Sequence, residues 1–477
     1  MTSKSDNSIS FGQYCVALAV TSVTLMELLD TTILNTALPA IAVSFNTDII
    51  NLRVAITAYL ATLAIFIPVS GWVADRVGPK RTLLFATTLF TVSSMLCGLS
   101  TSLEPFVLFR ILQGIGGAMM TPVSRIILVR LFRDRGEDNF QKVAGLVAIP
   151  LVFGPVLGPV LGGWLTTHLS WHWIFFVNLP IGIAAFCAIS TLIQNEPNPQ
   201  VGRFDLSGFL LAGIGLASAS LFLEAVDDRS VPLVLTAGAG LIGCVLLVCA
   251  VRHSLGKSDA VFDLELFRIP SFRIGAVLTV LGTTVQVGMQ ALLPTMFQLG
   301  FGMDAFQSGL MTVAVAAGVV TMKPMIAPLF SRLGNHRVLS IYPLLMGLTM
   351  IGFRSFTPQT PHLLILLLLF LYGLWLSVHG NVINVIPYLE VPRERISRAS
   401  SLQSTLFQLS LSLGITFGAL LLQGLLAAKG LTLAAGTSPP EILAAFHNAF
   451  TICGILSCCI ALIGLRYRKL ETTPAPS

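Results

Sequence analysis

The chain has 477 residues, 54% of them hydrophobic and only 10% charged, with a formal net charge of +6 and a mean hydropathy of +0.84. Soluble domains carry roughly 25% charged residues, so most of this surface must face lipid, which excludes a water-soluble enzyme or nucleic-acid-binding protein. The length instead accommodates about fourteen spans of roughly 20 residues with short loops.

The first ten residues, MTSKSDNSIS, are polar, and the apolar run after them continues into motif-bearing sequence. It is therefore expected to be retained rather than cleaved as a signal peptide. Spans are expected near 14–38, 52–73, 82–101, 105–130, 143–167, 173–193, 207–226, 232–251, 274–299, 306–330, 338–356, 362–388, 399–426 and 443–465. An even number of spans puts both termini on one side. With that side taken as cytoplasmic, 21 of the 28 Lys and Arg fall in cytoplasmic segments. Arg53, Arg229, Arg354 and Lys429 fall outside, and Arg110, Arg125 and Lys323 lie within spans. The positive-inside rule accounts for that asymmetry. The basic excess is thus a topology signal, and no nucleic-acid partner is expected. The eight Cys sit in or beside apolar runs without metal-ligand spacing, so no metal is expected.

Span 2 is followed by Gly71-Trp-Val-Ala-Asp75-Arg76-Val-Gly78-Pro-Lys80-Arg81. Span 10 is followed, 256 residues later, by Ala327-Pro-Leu-Phe-Ser331-Arg332-Leu-Gly334-Asn-His336-Arg337. Leu38-Pro39 in span 1 and Leu293-Pro294 in span 9 repeat at nearly the same offset. Two related six-helix halves around inserted spans 7 and 8 are expected, as in secondary transporters. The expected division is 1–200, 201–256 and 257–477. In the first copy Gly71 permits close helix approach and Gly78 a tight turn, while Arg76, Lys80 and Arg81 anchor the loop. Asp75 can pair with a neighbouring Arg or a helix N-terminus and so act as a conformational latch. Ser331 replaces it in the second copy, so the latch is expected to be single.

Span 1 carries Glu27 and Asp30, three residues apart and therefore on one helix face. An acid inside a bilayer must face a polar cavity, where it can alternate between ionised and protonated forms. These two acids are the expected proton-coupling groups. The matching region of span 9 has Gln286 and Gln290 instead. Arg110 in span 4 needs a buried partner, with Asp30, Glu27 and Gln113 as candidates. In span 5, Gly154, Pro155, Gly158, Pro159, Gly162 and Gly163 form a kinked face of small residues on which helices can rock. Asn35, Gln113, Asn178, Gln286, Gln290, Gln298, Lys323, His379, Asn381 and Asn384 are polar groups within spans and candidates to line a substrate cavity. Lys323 and His379 can carry positive charge, which favours anionic or zwitterionic cargo.

The 71–81 pattern resembles the loop 2–3 signature of the major facilitator superfamily, and the span 5 Gly-Pro pattern resembles the antiporter motif of its exporters. Together with Leu29 through Pro39, Arg110 through Ala118, Trp171 through Gly182 and Phe204 through Phe209, they resemble one family nearly throughout the chain. It is the fourteen-span drug:proton antiporter family (EmrB/QacA type), and within it the MdtD-like branch. The resemblance implies an all-α integral membrane protein with the major facilitator fold, two six-helix bundles plus two inserted spans. It implies that Asp30 is a functional acid, that Arg110 belongs to proton coupling, and that span 5 supports alternating access. The implied function is proton-coupled efflux of small amphiphilic or toxic compounds, or else of one natural metabolite or siderophore. Such a protein is a transporter and not an enzyme. It uses the proton gradient in place of a cofactor and sits multi-pass in the bacterial inner membrane with both termini cytoplasmic. The sequence names no accessory efflux partner.

Overall fold

The computed structural model describes residues 11–47, 49–132, 158, 161–166, 168–195, 204–226, 231–255, 257, 260, 262–303, 305–428 and 439–471. No water reaches the hydrocarbon core to satisfy a backbone N–H or C=O, so each apolar run must close its hydrogen bonds internally as a helix. The helices are α1 (Phe11–Ser44), α2 (Ile49–Phe66), α3 (Ser70–Val77), α4 (Pro79–Gly98), α5 (Leu103–Phe132), α6 (Trp173–Phe176), α7 (Asn178–Leu192) and α8 (Leu206–Ala225). They continue as α9 (Leu233–Leu255), α10 (Pro270–Phe301), α11 (Ala305–Leu333), α12 (Asn335–Gly352), α13 (His362–Val385), α14 (Ile396–Ala427) and α15 (Pro439–Glu471). Among the described residues, 13 stretches are long and apolar enough to cross a membrane. They coincide with thirteen of the fourteen expected spans. The other, expected at 143–167, lies largely outside the described residues.

The chain forms two compact units. Unit 1 holds Met1–Ala225, Arg229–Arg268 and Tyr388–Thr405, and unit 2 holds Val226–Asp228, Ile269–Pro387 and Leu406–Ser477. In unit 1, α1 packs on α5 and α7, α4 on α5 and α7, and α2 on α5 and α8. In unit 2, α12 packs on α13 and α15, α11 on α13, and α10 on α15. An apolar cluster of unit 1 joins Leu29, Ile33 and Ile41 of α1 to Phe106 of α5, Trp171, and Phe175 of α6. Phe106 and Phe175 meet edge to face at 5.6 Å, a favoured aromatic geometry.

Proline interrupts several helices, and a hydroxyl from elsewhere in the chain bonds at the break. A 3-10 turn, Ile67–Val69, separates α2 from α3 around Pro68. Ser401 Oγ donates to the carbonyl oxygens of Ile67 and Pro68 at 2.9 and 2.7 Å. Pro294 in α10 accepts from Ser308 at 3.1 Å, and Pro343 in α12 accepts from Ser457 at 2.8 Å. Such side chains let membrane helices tolerate proline.

The internal repeat is also a backbone repeat. Gly78 ends α3 at φ 100°, and Gly334, 256 residues later, sits ahead of α12 at φ 75°. Both lie where a Cβ is strained. Only Gly78 is also covered: Asn195 donates to Val77 O at 3.1 Å and accepts from the Arg81 N–H at 3.3 Å. A Cβ on Gly78 would overlap that side chain, whereas one on Gly334 meets nothing closer than His336 at 3.7 Å. Gly78→Ala is therefore expected to lower the melting temperature in detergent clearly more than Gly334→Ala, which carries only the backbone strain of about 1–3 kcal/mol.

The inserted helices α8 and α9 pack on each other and are clasped at one end. Asp205, just ahead of α8, accepts from the Gly208 N–H at 3.1 Å, His253 Nε2 at 2.9 Å and Lys257 Nζ at 2.8 Å. Burial raises the Asp205 pKa, but the hydrogen bonds from Lys257, His253 and Gly208 outweigh it and bring the group down to about 2. A carboxyl depressed on folding adds stability above its unfolded pKa and loses it as pH falls through the folded one. Asp205→Asn should thus melt earlier than the parent at pH 7. The gap should hold down to about pH 4 and close toward pH 2, as a pair of melting curves in detergent will record.

Candidate functional site

Asp30 lies on the buried face of α1, and side chains from α5 and α7 converge on it. Arg110 of α5 donates from Nη1 to Asp30 Oδ2 at 2.5 Å, and both side chains are almost wholly buried. Gln113, one turn further along α5, donates from Nε2 to Asp30 Oδ1 at 2.8 Å and accepts from Arg110 Nη1 at 2.8 Å. Asn178, the first residue of α7, donates to Asp30 Oδ1 at 3.3 Å and to Ser94 Oγ of α4 at 2.9 Å. Ser94 in turn donates to the Phe175 carbonyl at 3.0 Å. The aromatic wedge around Trp171 and Phe175 thereby sets the position of Asn178. The arrangement is a buried carboxylate with three side-chain donors around a single cation. Both oxygens accept from donors, so a proton added to Asp30 would remove the negative charge facing Arg110 and displace at least one of those donors.

Glu27, one turn before Asp30, does not join that network. It accepts from Thr121 Oγ1 of α5 at 2.6 Å and is buried. Arg125, one further turn along α5, donates to Ser404 of α14 at 3.0 Å. The two acids on one face of α1 therefore engage separate partners on α5. Of the Arg110 partners open from sequence, the geometry selects Asp30 and Gln113. Thr121 and Ser94 carry no mark of this role in the sequence. Hydroxyl groups are common in membrane helices, and nothing local distinguishes these.

The 71–81 segment forms a second polar cluster in unit 1. Asp75 Oδ1 accepts from Arg130 Nη2 at 2.7 Å and from Ser397 Oγ at 2.5 Å. Arg130 also donates to Ser397 at 2.9 Å. Ser397 stands in the first turn of α14, and Gly71 has no room for a Cβ because the Ser397 carbonyl occupies that space. Lys80 donates to the Ser190 carbonyl at 2.6 Å, while Arg76 and Arg81 are exposed. In the second copy, Ser331 donates only to Pro328 O on its own helix, at 3.2 Å. Four serines line one face of α14: Ser397 on Asp75, Ser400 on Pro122 O at 2.8 Å, Ser401 on the 67–68 carbonyls, and Ser404 under Arg125. Their spacing of three, four and seven residues is a helical stripe, and that pattern could have been read from the sequence.

In unit 2, His379 of α13 is buried between two hydroxyls, Thr283 of α10 at 3.1 Å from Nε2 and Tyr342 of α12 at 3.3 Å from Nδ1. Asn384 donates to Gly380 O at 2.7 Å on its own helix. Asn381 is fully buried. Gln286, Gln290 and Lys323 are half-buried, and Gln298 is exposed. In the span 5 motif, Gly154, Pro155 and Pro159 lie outside the described residues. So does the side chain of Asn35. Gly158 is packed so closely on Thr32 of α1 that a Cβ would collide with it, while Gly163 borders open space. Among the described residues no group of three or more His, Cys, Asp or Glu is placed to hold a metal ion.

Residues 20–415 match the family model of the Major Facilitator Superfamily. The chain belongs to the major facilitator superfamily. It is 34% identical over 440 residues to the "Putative multidrug resistance protein MdtD" of Serratia proteamaculans, covering 92% of this chain and 88% of that one. It is 36% identical over 415 residues to the protein of the same name from Escherichia coli O6:H1, covering 87% of each. Among solved structures, the human organic anion transporter MFSD10 superposes with a TM-score of 0.64 at 16% identity, covering 94% of this chain and 99% of that one. The proton:xylose symporter XylE superposes with a TM-score of 0.63 at 17% identity, covering 95% of each. At those identities the likeness is one of fold. The protein is thus a multi-pass membrane member of the superfamily with the major facilitator fold, and the resemblance read from its motifs holds.

For this superfamily member, the Asp75 cluster predicts graded effects. Asp75→Ala leaves the partly exposed Arg130 without its carboxylate, a loss of about 3 kcal/mol, whereas Ser397→Ala removes two hydrogen bonds but keeps the ion pair, a loss of about 2 kcal/mol. Amide hydrogen exchange in the first two turns of α14 should accelerate in both variants, and more in Asp75→Ala.

Proposed function

We propose that this transporter exports small amphiphilic or toxic compounds in exchange for protons, by alternating access between two six-helix bundles joined by the inserted α8–α9 pair. The observation that carries the reading is the buried Asp30–Arg110 pair inside a lipid-embedded helix bundle. Intramembrane ionisable pairs mark ion and proton pathways, and here one protonation event releases a buried cation. The multidrug-resistance name of the relatives supports the efflux reading. The span 5 pattern of glycine and proline supports its direction.

In this cycle a proton arriving from the outer side neutralises Asp30, Arg110 loses its counter-ion, and bound cargo leaves. Loss of the proton to the cytoplasm restores the pair and readies the site. Glu27, which accepts from Thr121, takes a second proton or meets a cationic cargo. The Asp75–Arg130–Ser397 cluster is the latch that holds one state. The proton gradient supplies the energy, without a cofactor and without enzymatic chemistry. The excess of Lys and Arg in alternate loops supports the bacterial inner membrane with both termini cytoplasmic. A second reading, export of an anionic or zwitterionic metabolite, is favoured by Lys323 and His379 within spans of unit 2.

Asp30→Asn keeps the size, abolishes the charge and leaves one accepting oxygen in place of two. In everted vesicles it should reduce dye efflux driven by a pH gradient to the level of vesicles lacking the protein, while the variant still elutes as a monodisperse species in detergent. Efflux that keeps its full pH dependence in this variant would exclude the mechanism.

A further inference from the structure

Arg110 is incompletely satisfied by its polar partners. Its Nε is buried and has no hydrogen-bond partner. Its guanidinium carbon instead lies 4.1 Å from the centroid of the Tyr59 ring. Tyr59 projects from α2 and is fully buried. Its hydroxyl has no hydrogen-bond partner either, so the phenol is not held in place by its polar end. The α5 segment that carries Arg110 is shaped to admit the ring. Gly117 approaches the Tyr59 hydroxyl so closely that a Cβ there would lie 3.1 Å from it, and Gly114 is as tight against the Tyr59 backbone carbonyl. A cation over an aromatic face is stabilised by the ring quadrupole, most strongly when both are out of water.

We infer that Tyr59 is the positioning residue that holds Arg110 when Asp30 is neutral, so that protonation does not leave a buried guanidinium without a partner. The inference rests on the proton-coupled reading above. While Asp30 is ionised, Arg110 has a full counter-charge and the ring adds little that is specific to that state. Once Asp30 is protonated, the ring and the Gln113 side-chain oxygen, 2.8 Å from Nη1, are the remaining favourable contacts for the cation. The ring therefore stabilises the protonated state more than the ionised one, and it lowers the cost of the proton-binding step.

The charged and titratable groups around this cluster are Glu27 and Asp30 from α1, Tyr59 from α2, Cys97 from α4, and Arg110 and Arg125 from α5. The α7 helix contributes the neutral Asn178. The sign of the effect follows. If the aromatic face is weakened, the protonated state becomes costlier, a higher proton concentration is needed, and the pH midpoint of transport moves to more acid values. A desolvated cation–aromatic contact is large enough to move that midpoint by about one pH unit.

The test is the pH profile of gradient-driven dye efflux by the full chain reconstituted in vesicles. Tyr59→Phe serves as the reference, and the ring at position 59 is then fluorinated stepwise, which drains its negative face at nearly constant shape. The expected result is a midpoint that moves acid with each fluorine, by about one pH unit over the series. Tyr59→Leu, if it folds, should shift at least as far. A lowered maximal rate with an unmoved midpoint across the series would mean that Tyr59 only fills space, and would overturn the assignment. Asp30→Asn runs beside it: if that variant retains pH-driven efflux, the coupling reading itself falls and this inference with it. If Asp30→Asn is inactive and the midpoint does not move, only the role of Tyr59 is lost.

Discussion

A guanidinium cannot stand alone in a lipid-embedded bundle, and unit 1 is arranged around that constraint. Removing one partner from a buried ion pair typically costs about 3–5 kcal/mol, so the helices carrying Arg110 and Asp30 must keep those side chains in register. Gln113 bridges the two, Asn178 anchors the carboxylate from α7, and Ser94 ties Asn178 to the α6 backbone. Each group is neutral, so each orients the pair without competing for its charge. Because every contact to Asp30 is a donation to one of its oxygens, the frame suits the ionised carboxylate.

The two halves share a backbone device but differ in chemistry. Gly78 and Gly334 adopt the same positive-φ conformation at the same place in the repeat, because a helix must end and restart there within one residue. The side chains around the turns have diverged. Asp75 reaches Arg130 and Ser397, whereas Ser331 bonds only its own helix. The buried acids of span 1 have no counterpart in α10, where Gln286 and Gln290 stand, and unit 2 buries His379 between Thr283 and Tyr342.

Polar side chains, more than apolar ones, specify how these helices meet. Lipid tails are as apolar as leucine, so burying leucine against another helix brings little hydrophobic gain, and packing and interhelical hydrogen bonds carry the specificity. The serine face of α14 illustrates this. Four hydroxyls in two turns contact a carboxylate, an arginine and backbone carbonyls beside Pro68 and Pro122. Proline supplies the distortion and serine satisfies what the distortion leaves exposed. The same pairing recurs at Pro294 with Ser308 and at Pro343 with Ser457.

Hydropathy and charge are local properties, and so the spans, the 256-residue repeat, and the isolation of Glu27, Asp30 and Arg110 in apolar surroundings were all determined by the sequence itself. The pairing of Arg110 with Asp30 was narrowed to a few candidates because a buried cation admits few partners. Which candidate, and what else joins, depends on how each helix is rotated about its axis. Asn178 lies 148 residues from Asp30 and Ser397 lies 322 residues from Asp75, and a single sequence contains no signal at that range. Only the tertiary structure separated Glu27, on Thr121, from Asp30, on Arg110, although the two share one helix face. It alone placed the ring of Tyr59 beneath the guanidinium, because an aromatic residue in an apolar span looks the same in sequence whether it faces lipid or a charge.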